Sequence, residues 1–364
     1  MPAPTVLVTG FPGFLGSELL PRILRRRPEA RAVCLVQERW AALAYRRAGE
    51  IEAADPRLAG RIDLVEGDIG EADLGLGGAA ELAATVREGY HLAAVYDLAV
   101  SRATGMLVNV DGTRHVLDFL ARCPRLERLH YVSTCYVSGR HPGTFRERDL
   151  DVGQAFNNVY EETKFLAEVV VREGAEAGLP TTVYRPAITV GDSATGATQK
   201  YDGPYHVLRW MLRQPRLGVM PTVGDPRAHT VNLVPRDFVV RAIDHLSALA
   251  ASRGKVYQLC DPAPLTVDAL IRLFARATGR RILRIPVPLG LAKAALDHVP
   301  GLLRLMGTPP QTLDYFVHPT DYACDDTLAD LEGTGIAVPR LESYVDRLVA
   351  FVREHPEVGS RAMT

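Results

Sequence analysis

Short runs of β-branched and aliphatic residues alternate, through the first half of the chain, with longer stretches whose apolar residues recur at helical spacing. "TVLVTG" (5–10) leads into an amphipathic stretch through Arg27, "RAVCLV" (31–36) into a helical stretch from Trp40, and "RIDLVEGD" (61–68) into a polar, Gly-rich segment. The alternation continues with "YHLAAVYDLA" (90–99), a helical "MLVNVDGTRHVLDFLARC" (106–123), "LERLHYVST" (126–134), a helix over "NNVYEETKFLAE" (157–168) and "TTVYRPA" (181–187). Apolar strands separated by helices of this length predict a parallel sheet covered on both faces, a doubly wound α/β architecture.

Beyond residue 190 the alternation becomes irregular. "HTVNLVPRDFVVRAIDHL" (229–246) reads as a strand entering a helix and "KVYQLCD" (255–261) as a further strand of the main sheet. "TVDALIRLFARATGRR" (266–281) predicts a helix with Thr266 as N-cap and Gly279 as its stop. In "VPLGLAKAALDHVPGLLRLMG" (287–307) apolar residues recur at helical spacing across a break at Pro300 and Gly301. Such a segment packs a small lobe, lines an acyl tunnel or lies against a membrane surface as a peripheral contact.

The first strand-to-helix turn is "TGFPGFLGSELL", with Gly10, Gly13 and Gly16 spaced three apart. Glycines there let the backbone approach a pyrophosphate while the helix start offers free N–H donors, so the turn predicts a Rossmann-type dinucleotide site. Each later strand tip carries a group suited to that ligand. Asp68 accepts from an adenine amino group, Ile69 covers its ring, and the small Ala93 and Ala94 permit close passage. Ser133 and Thr134 end the fifth strand; Tyr160 and Lys164 follow at i and i+4, on one face of the next helix. Thr134 binding a substrate carbonyl, Tyr160 donating a proton and Lys164 holding the ribose while lowering the tyrosine pKa make a catalytic set.

Seven ordered motifs, "TGFPGFLG", "GDI", "HLAA", "NVDGT" (109–113), "YVSTCYVSG" (131–139), "YEETK" (160–164) and "YRPA" (184–187), make the chain resemble the extended short-chain dehydrogenase/reductase superfamily over nearly its whole length. "LVQERW", "FNNVYEETKFLAE" and "VNLVPRDFVVRAI" most resemble the male-sterility branch, with its fatty acyl-CoA reductases and thioester-reductase domains. The resemblance implies a dinucleotide domain over 1–190 with returning segments about 229–261, and a smaller, mostly helical substrate lobe from 191–228 and 262–364. It carries catalysis onto Thr134, Tyr160 and Lys164 with Ser133 beside them. Cofactor contact falls on Gly10, Phe11, Gly13, Phe14, Leu15, Gly16, Gln37, Arg39, Asp68, Ile69, Ala93, Ala94, Asn109, Lys164 and Pro186. Substrate contact falls on Tyr96, Cys135, Tyr136, Asn157, Tyr201, His206 and Trp210.

The implied reaction is NAD(P)H-dependent reduction of an acyl thioester or aldehyde. Alcohol oxidation of the 3β-hydroxysteroid dehydrogenase kind, sugar-nucleotide epimerisation or dehydration, and non-catalytic NADP binding are the alternatives. Dehydratases place an acid pair after the hydroxyl residue, where this chain has Cys135 and Tyr136; non-catalytic relatives commonly lose the tyrosine or lysine, which this chain keeps. The acid that selects NAD at the second strand's end is replaced by Val36. Gln37 follows where NADP-preferring relatives often carry arginine, and Arg39, Arg46 and Arg47 offer positive charge against the repulsion of Glu38, so NADP(H) is favoured over NAD(H).

A net charge of −1 removes the basic field that nucleic acid requires and directs attention to a small-molecule substrate. Five widely spaced cysteines, without a C-x-x-C pair, predict reduced thiols and no metal site in a cytoplasmic protein. Neither a signal peptide nor a membrane span is expected, and a homodimer is implied by resemblance. Without a recognisable adenylation or carrier segment, a free CoA thioester, aldehyde or ketone is expected rather than a carrier-bound substrate.

Overall fold

The computed structural model describes residues 3–77, 79–96, 100–298 and 310–359. Its main sheet has seven parallel strands: β1 (Thr5–Thr9), β2 (Arg31–Val36), β3 (Ile62–Glu66), β4 (Val86–His91), β5 (Arg128–Val132), β6 (Thr181–Pro186) and β7 (Val256–Leu259). They lie in the order β3-β2-β1-β4-β5-β6-β7, so the winding reverses between β1 and β4 and leaves a crevice at their carboxyl ends.

Both sheet faces are covered, which is why the strands read as continuous apolar runs. On one face, α1 (Gly16–Arg26) buries Leu19, Leu20, Ile23 and Leu24 with Phe238, Val239 and Ile243 of a later helix. On the other, α2 (Gly112–Ala121) contributes Val116, Leu117 and Leu120, and α3 (Val159–Glu176) contributes Ala167 and Val171. Each buried Leu or Ile contributes about 1.5–3 kcal/mol of transfer free energy.

A lobe is built from α4 (Pro204–Arg213), α5 (Val267–Thr278) and α6 (Val345–Glu354) around Tyr205, Leu208, Met211, Leu270, Phe274 and Leu348. The predicted caps of α5 are present: Thr266 Oγ1 accepts from Ala269 N at 3.2 Å, and Gly279 adopts φ +70°. A parallel pair, Leu217–Thr222 with Arg281–Pro286, closes one side of this lobe.

Three segments depart from the pattern read in the sequence. The run at 90–99 is not one strand, since β4 spans Val86–His91 and residues 92–96 leave the sheet, with 97–99 outside the described residues. The buried Glu88, paired with Arg27, had disguised the strand's start as polar surface. The helix expected over 106–123 has a π-helical first part, Met106–Asp111, before α2. Residues 320–338, assigned to the lobe, return to the dinucleotide domain: Thr320–Tyr322 pairs with Gly143–Phe145, and Cys324, Leu331, Ile336 and Val338 join the α1 core. Of the 287–307 segment, Leu289–His298 is helical and 299–309 lie outside the described residues.

Candidate active site

A cavity of about 430 Å³ runs from the glycine turn, past the tips of β4, β5 and β6, to the lobe. At its first end Gly10 has φ +87°, and a Cβ there would stand 2.7 Å from the backbone N of Ala93. Cβ atoms on Gly13 or Gly16 would each meet the Gly10 carbonyl at 2.7 Å, so only this triplet lets the turn, the start of α1 and the post-β4 loop nest together. The cradle that side chains would fill fits a dinucleotide pyrophosphate, held by the N–H groups opening α1.

Next along the wall, Gln37 Nε2 donates to Asp68 Oδ2 at 2.7 Å, while Asp68 Oδ1 accepts from Gly70 N at 2.8 Å. The Arg39 guanidinium donates to Gln37 Oε1 at 2.7 and 3.0 Å, so a cation is anchored at the rim beyond β2. Glu38 is exposed and outside the cavity wall.

At the reaction end the wall holds Thr134, Tyr160 and Lys164 together with Tyr96 and Tyr136. Thr134 lies two residues past β5 in an extended conformation, and its Oγ1 accepts from Tyr136 N at 3.2 Å. Asn158 caps α3 through the Glu161 N–H at 3.0 Å, which fixes the turn presenting Tyr160. Burial pushes the Tyr160 phenol up and its bond with the Thr134 hydroxyl pulls it down; burial wins. That differs from the expected control by Lys164. The lysine instead donates to the Tyr131 hydroxyl and the Val132 carbonyl, both at 2.9 Å, and burial lowers it to about 7, opposed by Glu168.

The other predicted residues divide by what they touch. Phe11, Phe14, Leu15, Ile69, Ala94 and Pro186 line the cavity. Ser133 lines it too, and its hydroxyl donates to Glu168 at 2.6 Å, supporting the fully buried Glu168–Arg185 ion pair. Asn109 lies behind the wall. Its amide accepts from Val95 N at 2.8 Å and donates to Thr163 at 3.0 Å, so it staples the post-β4 loop to the tyrosine helix.

Five substrate-contact expectations also fall outside the wall. Cys135 is buried with its thiol on the Arg185 carbonyl, and Asn157 binds the Glu161 carboxylate at 2.9 Å through its backbone N–H. Tyr201 donates to the His355 carbonyl at 2.8 Å, His206 is buried in α4, and Trp210 donates to the Val219 carbonyl at 3.0 Å.

Lys200, Asp202, Thr312, Tyr315 and Phe316 line the cavity without having been singled out. Lys200 Nζ lies 4.0 Å from the Tyr96 ring centre and 2.7 Å from Asp202. Tyr315 accepts from Asn158 at 3.1 Å and sets its ring edge-on to Tyr136. Their only local signal is aromatic and charged residues in a segment without periodicity; chain folding brings Tyr315 to α3 from over a hundred residues away.

Among the described residues no group of His, Cys, Asp or Glu is arranged to hold a metal ion, and no helix is long and apolar enough to cross a membrane. All five cysteines are free and buried.

A nicotinamide-dependent oxidoreductase of the extended short-chain type accounts for both ends of this crevice. The chain belongs to the male sterility protein family, whose model matches residues 8–243. It is 32% identical over 277 residues to a linear gramicidin synthase of Brevibacillus parabrevis, covering 73% of this chain and 5% of that one. With glycine betaine reductase ATRR of Emericella nidulans it shares 30% identity over 284 residues, 74% of this chain and 22% of the relative. The chain therefore spans less than a quarter of the length of these two curated relatives. The crystal structure of the terminal R domain from the myxalamid PKS-NRPS biosynthetic pathway superposes with a TM-score of 0.83 at 29% identity, covering 98% of this chain and 92% of that one. UDP-glucuronic acid 4-epimerase from Bacillus cereus, in complex with NAD, shares the fold at TM-score 0.67 and 17% identity.

Proposed function

We propose that the protein reduces an acyl thioester to an aldehyde with NADPH, and accepts aldehydes at the same site. The observation that carries this reading is the meeting of the Thr134 and Tyr160 hydroxyls in one cavity that continues on one side to the glycine cradle and on the other to an apolar wall of Val207, Leu270, Ile271 and Phe316. The reductase and the R domain among its relatives support it.

Reduced nicotinamide, when bound, supplies the hydride. Thr134 and Tyr160 hold the carbonyl oxygen by two hydrogen bonds, and Tyr160 gives that oxygen its proton as the carbonyl carbon is reduced. The resulting hemithioacetal collapses: the C–S bond breaks, the sulfur leaves with its electron pair and takes a proton, and aldehyde and thiol are released. Lys164, lowered to about 7 by burial, would hold the ribose by exchanging its bonds to Tyr131 and Val132 for the cofactor, and would return a proton to the tyrosine after turnover. Arg39, anchored by Gln37, would offer its guanidinium to the 2′-phosphate that distinguishes NADPH.

The test follows NADPH and NADH absorbance separately with acyl-CoAs, acyl-pantetheines, aldehydes, ketones and UDP-sugars. Consumption of NADPH with release of free thiol from the thioesters is expected. Sugar turnover without net cofactor change, or ketone reduction alone, sinks the proposal.

A further inference from the structure

The parallel pair Leu217–Thr222 and Arg281–Pro286 turns one face to the lobe core, where Met220 and Ile282 pack, and the other to solvent. Period-two alternation places Leu217, Val219, Leu283 and Ile285 on that outer face, with Val219 directly opposite Leu283 in register. They are 72%, 40%, 61% and 45% exposed, and Leu291, on the helix that follows, is 62% exposed. Four large aliphatic side chains exposed on one sheet face form an apolar patch of the sort that marks an interaction site.

The segments 209–216 and 276–284, which lead into and form the pair, contain seven arginines and no acidic residue. Arg216, next to Leu217 in sequence, and Arg281, opposite it in register, are exposed; Arg284 is engaged by the buried Asp268. Trp210 stands at the edge with its indole N–H on the Val219 carbonyl, its ring half-buried. A second copy of the chain would bring the same arginines against these and be repelled. An apolar face rimmed by guanidinium groups with a tryptophan at its border complements a surface that is anionic outside and hydrocarbon beneath.

We infer that this face docks the protein on anionic phospholipid membrane, with Leu217, Val219, Leu283 and Ile285 entering the headgroup boundary and Arg216 and Arg281 meeting lipid phosphates. The contact involves no spanning helix and is peripheral. It lies on strands neighbouring the 287–307 segment rather than on that segment alone, and it does not depend on the reductase reading.

The test is sedimentation of the full chain with large unilamellar vesicles of phosphatidylcholine alone, or with about one-third phosphatidylglycerol, at low and high salt. Binding to the anionic vesicles, weakened by salt, is expected. The L217Q/L283Q and R216E/R281E variants should each lose roughly tenfold in partitioning while keeping the wild-type melting temperature. NADPH oxidation with a water-soluble substrate should be unchanged in both, because neither pair touches the cavity. Absence of vesicle binding, or binding that both variants retain, overturns the inference. A concentration-dependent dimer that L217Q/L283Q abolishes, or docking of an acidic carrier protein without vesicle binding, overturns it in favour of a protein partner.

Discussion

The Tyr96 ring stands edge-on to the Tyr160 ring, centroids 4.8 Å apart and planes at 77°, while the Lys200 ammonium lies on the same Tyr96 ring from the lobe side. Three separate segments therefore converge on the position of one phenol. Tyr96→Leu removes the edge contact and frees Tyr160 to leave its rotamer. We expect kcat to fall about tenfold with little change in the NADPH dissociation constant, an edge-to-face pair being worth about 0.5–1.5 kcal/mol. Tyr96→Phe should retain most of the rate. Equal rates for the Leu variant and the parent would show that the ring does not position Tyr160.

Tyr160→Phe removes the proton donor and leaves its packing. Turnover should drop by about 10²–10⁴-fold, the ordinary range for general acid catalysis, with cofactor binding kept. Stopped-flow absorbance with saturating NADPH is the measurement; a variant running at the parent rate would take the phenol out of the reaction.

Lys164 is buried with its pKa lowered from 10.5 to about 7, so folding favours its neutral form. For a base depressed in this direction, stability is present above the unfolded value and is lost as pH falls through the folded one. The loss is up to about 1.4 kcal/mol per pH unit across that window. Lys164→Met should gain in melting temperature relative to the parent between pH 9 and pH 6.5, in the absence of cofactor. A melting difference independent of pH would rule out a desolvated lysine.

Glu161 shifts the opposite way in charge: burial raises its carboxyl to about 7, against the bonds from Asn157. Its stabilising contribution is complete below the unfolded value near 4.5 and fades as pH rises through about 7. Glu161→Gln should melt increasingly above the parent as pH goes from 5 to 8.5, as read by thermal scans. Parallel melting curves across that range would contradict the assignment.

Glu168 and Arg185 form an ion pair with neither side chain exposed. Glu168→Gln strands the guanidinium and leaves Ser133 without its charged acceptor, and should cost about 3–5 kcal/mol in denaturant unfolding. Ser133→Ala removes one hydrogen bond to a charged group and should cost about 1.5–3 kcal/mol, with activity largely kept. Loss of activity in Ser133→Ala at unchanged stability would return Ser133 to the catalytic group.

Much was readable from local sequence because its signals are local. The apolar runs of β1, β2, β5 and β6 need both faces covered, and the triplet Gly10, Gly13, Gly16 is demanded by a backbone geometry that spans only seven residues. Periodicity places Thr134 at a strand tip and Tyr160 and Lys164 on one helix face, and the family resemblance singles them out among their neighbours. Where two local readings competed, packing decided. Ser133 and Asn109 look like ligand contacts in their motifs, and the fold gives their polar atoms a carboxylate and a loop backbone as partners, which no local pattern shows.

The chain order by itself determined the doubly wound sheet and the residues at its carboxyl edge, since alternation, glycine spacing and helical period act within a few residues of one another. Tertiary structure alone decided that Lys200, Tyr315 and Phe316 share a cavity with Tyr160, and that Tyr201 and Trp210 do not. It also decided the acidity of Tyr160, Lys164 and Glu161. The physical reason is that desolvation depends on what the far parts of the chain place around a group, and no pattern along the backbone records it.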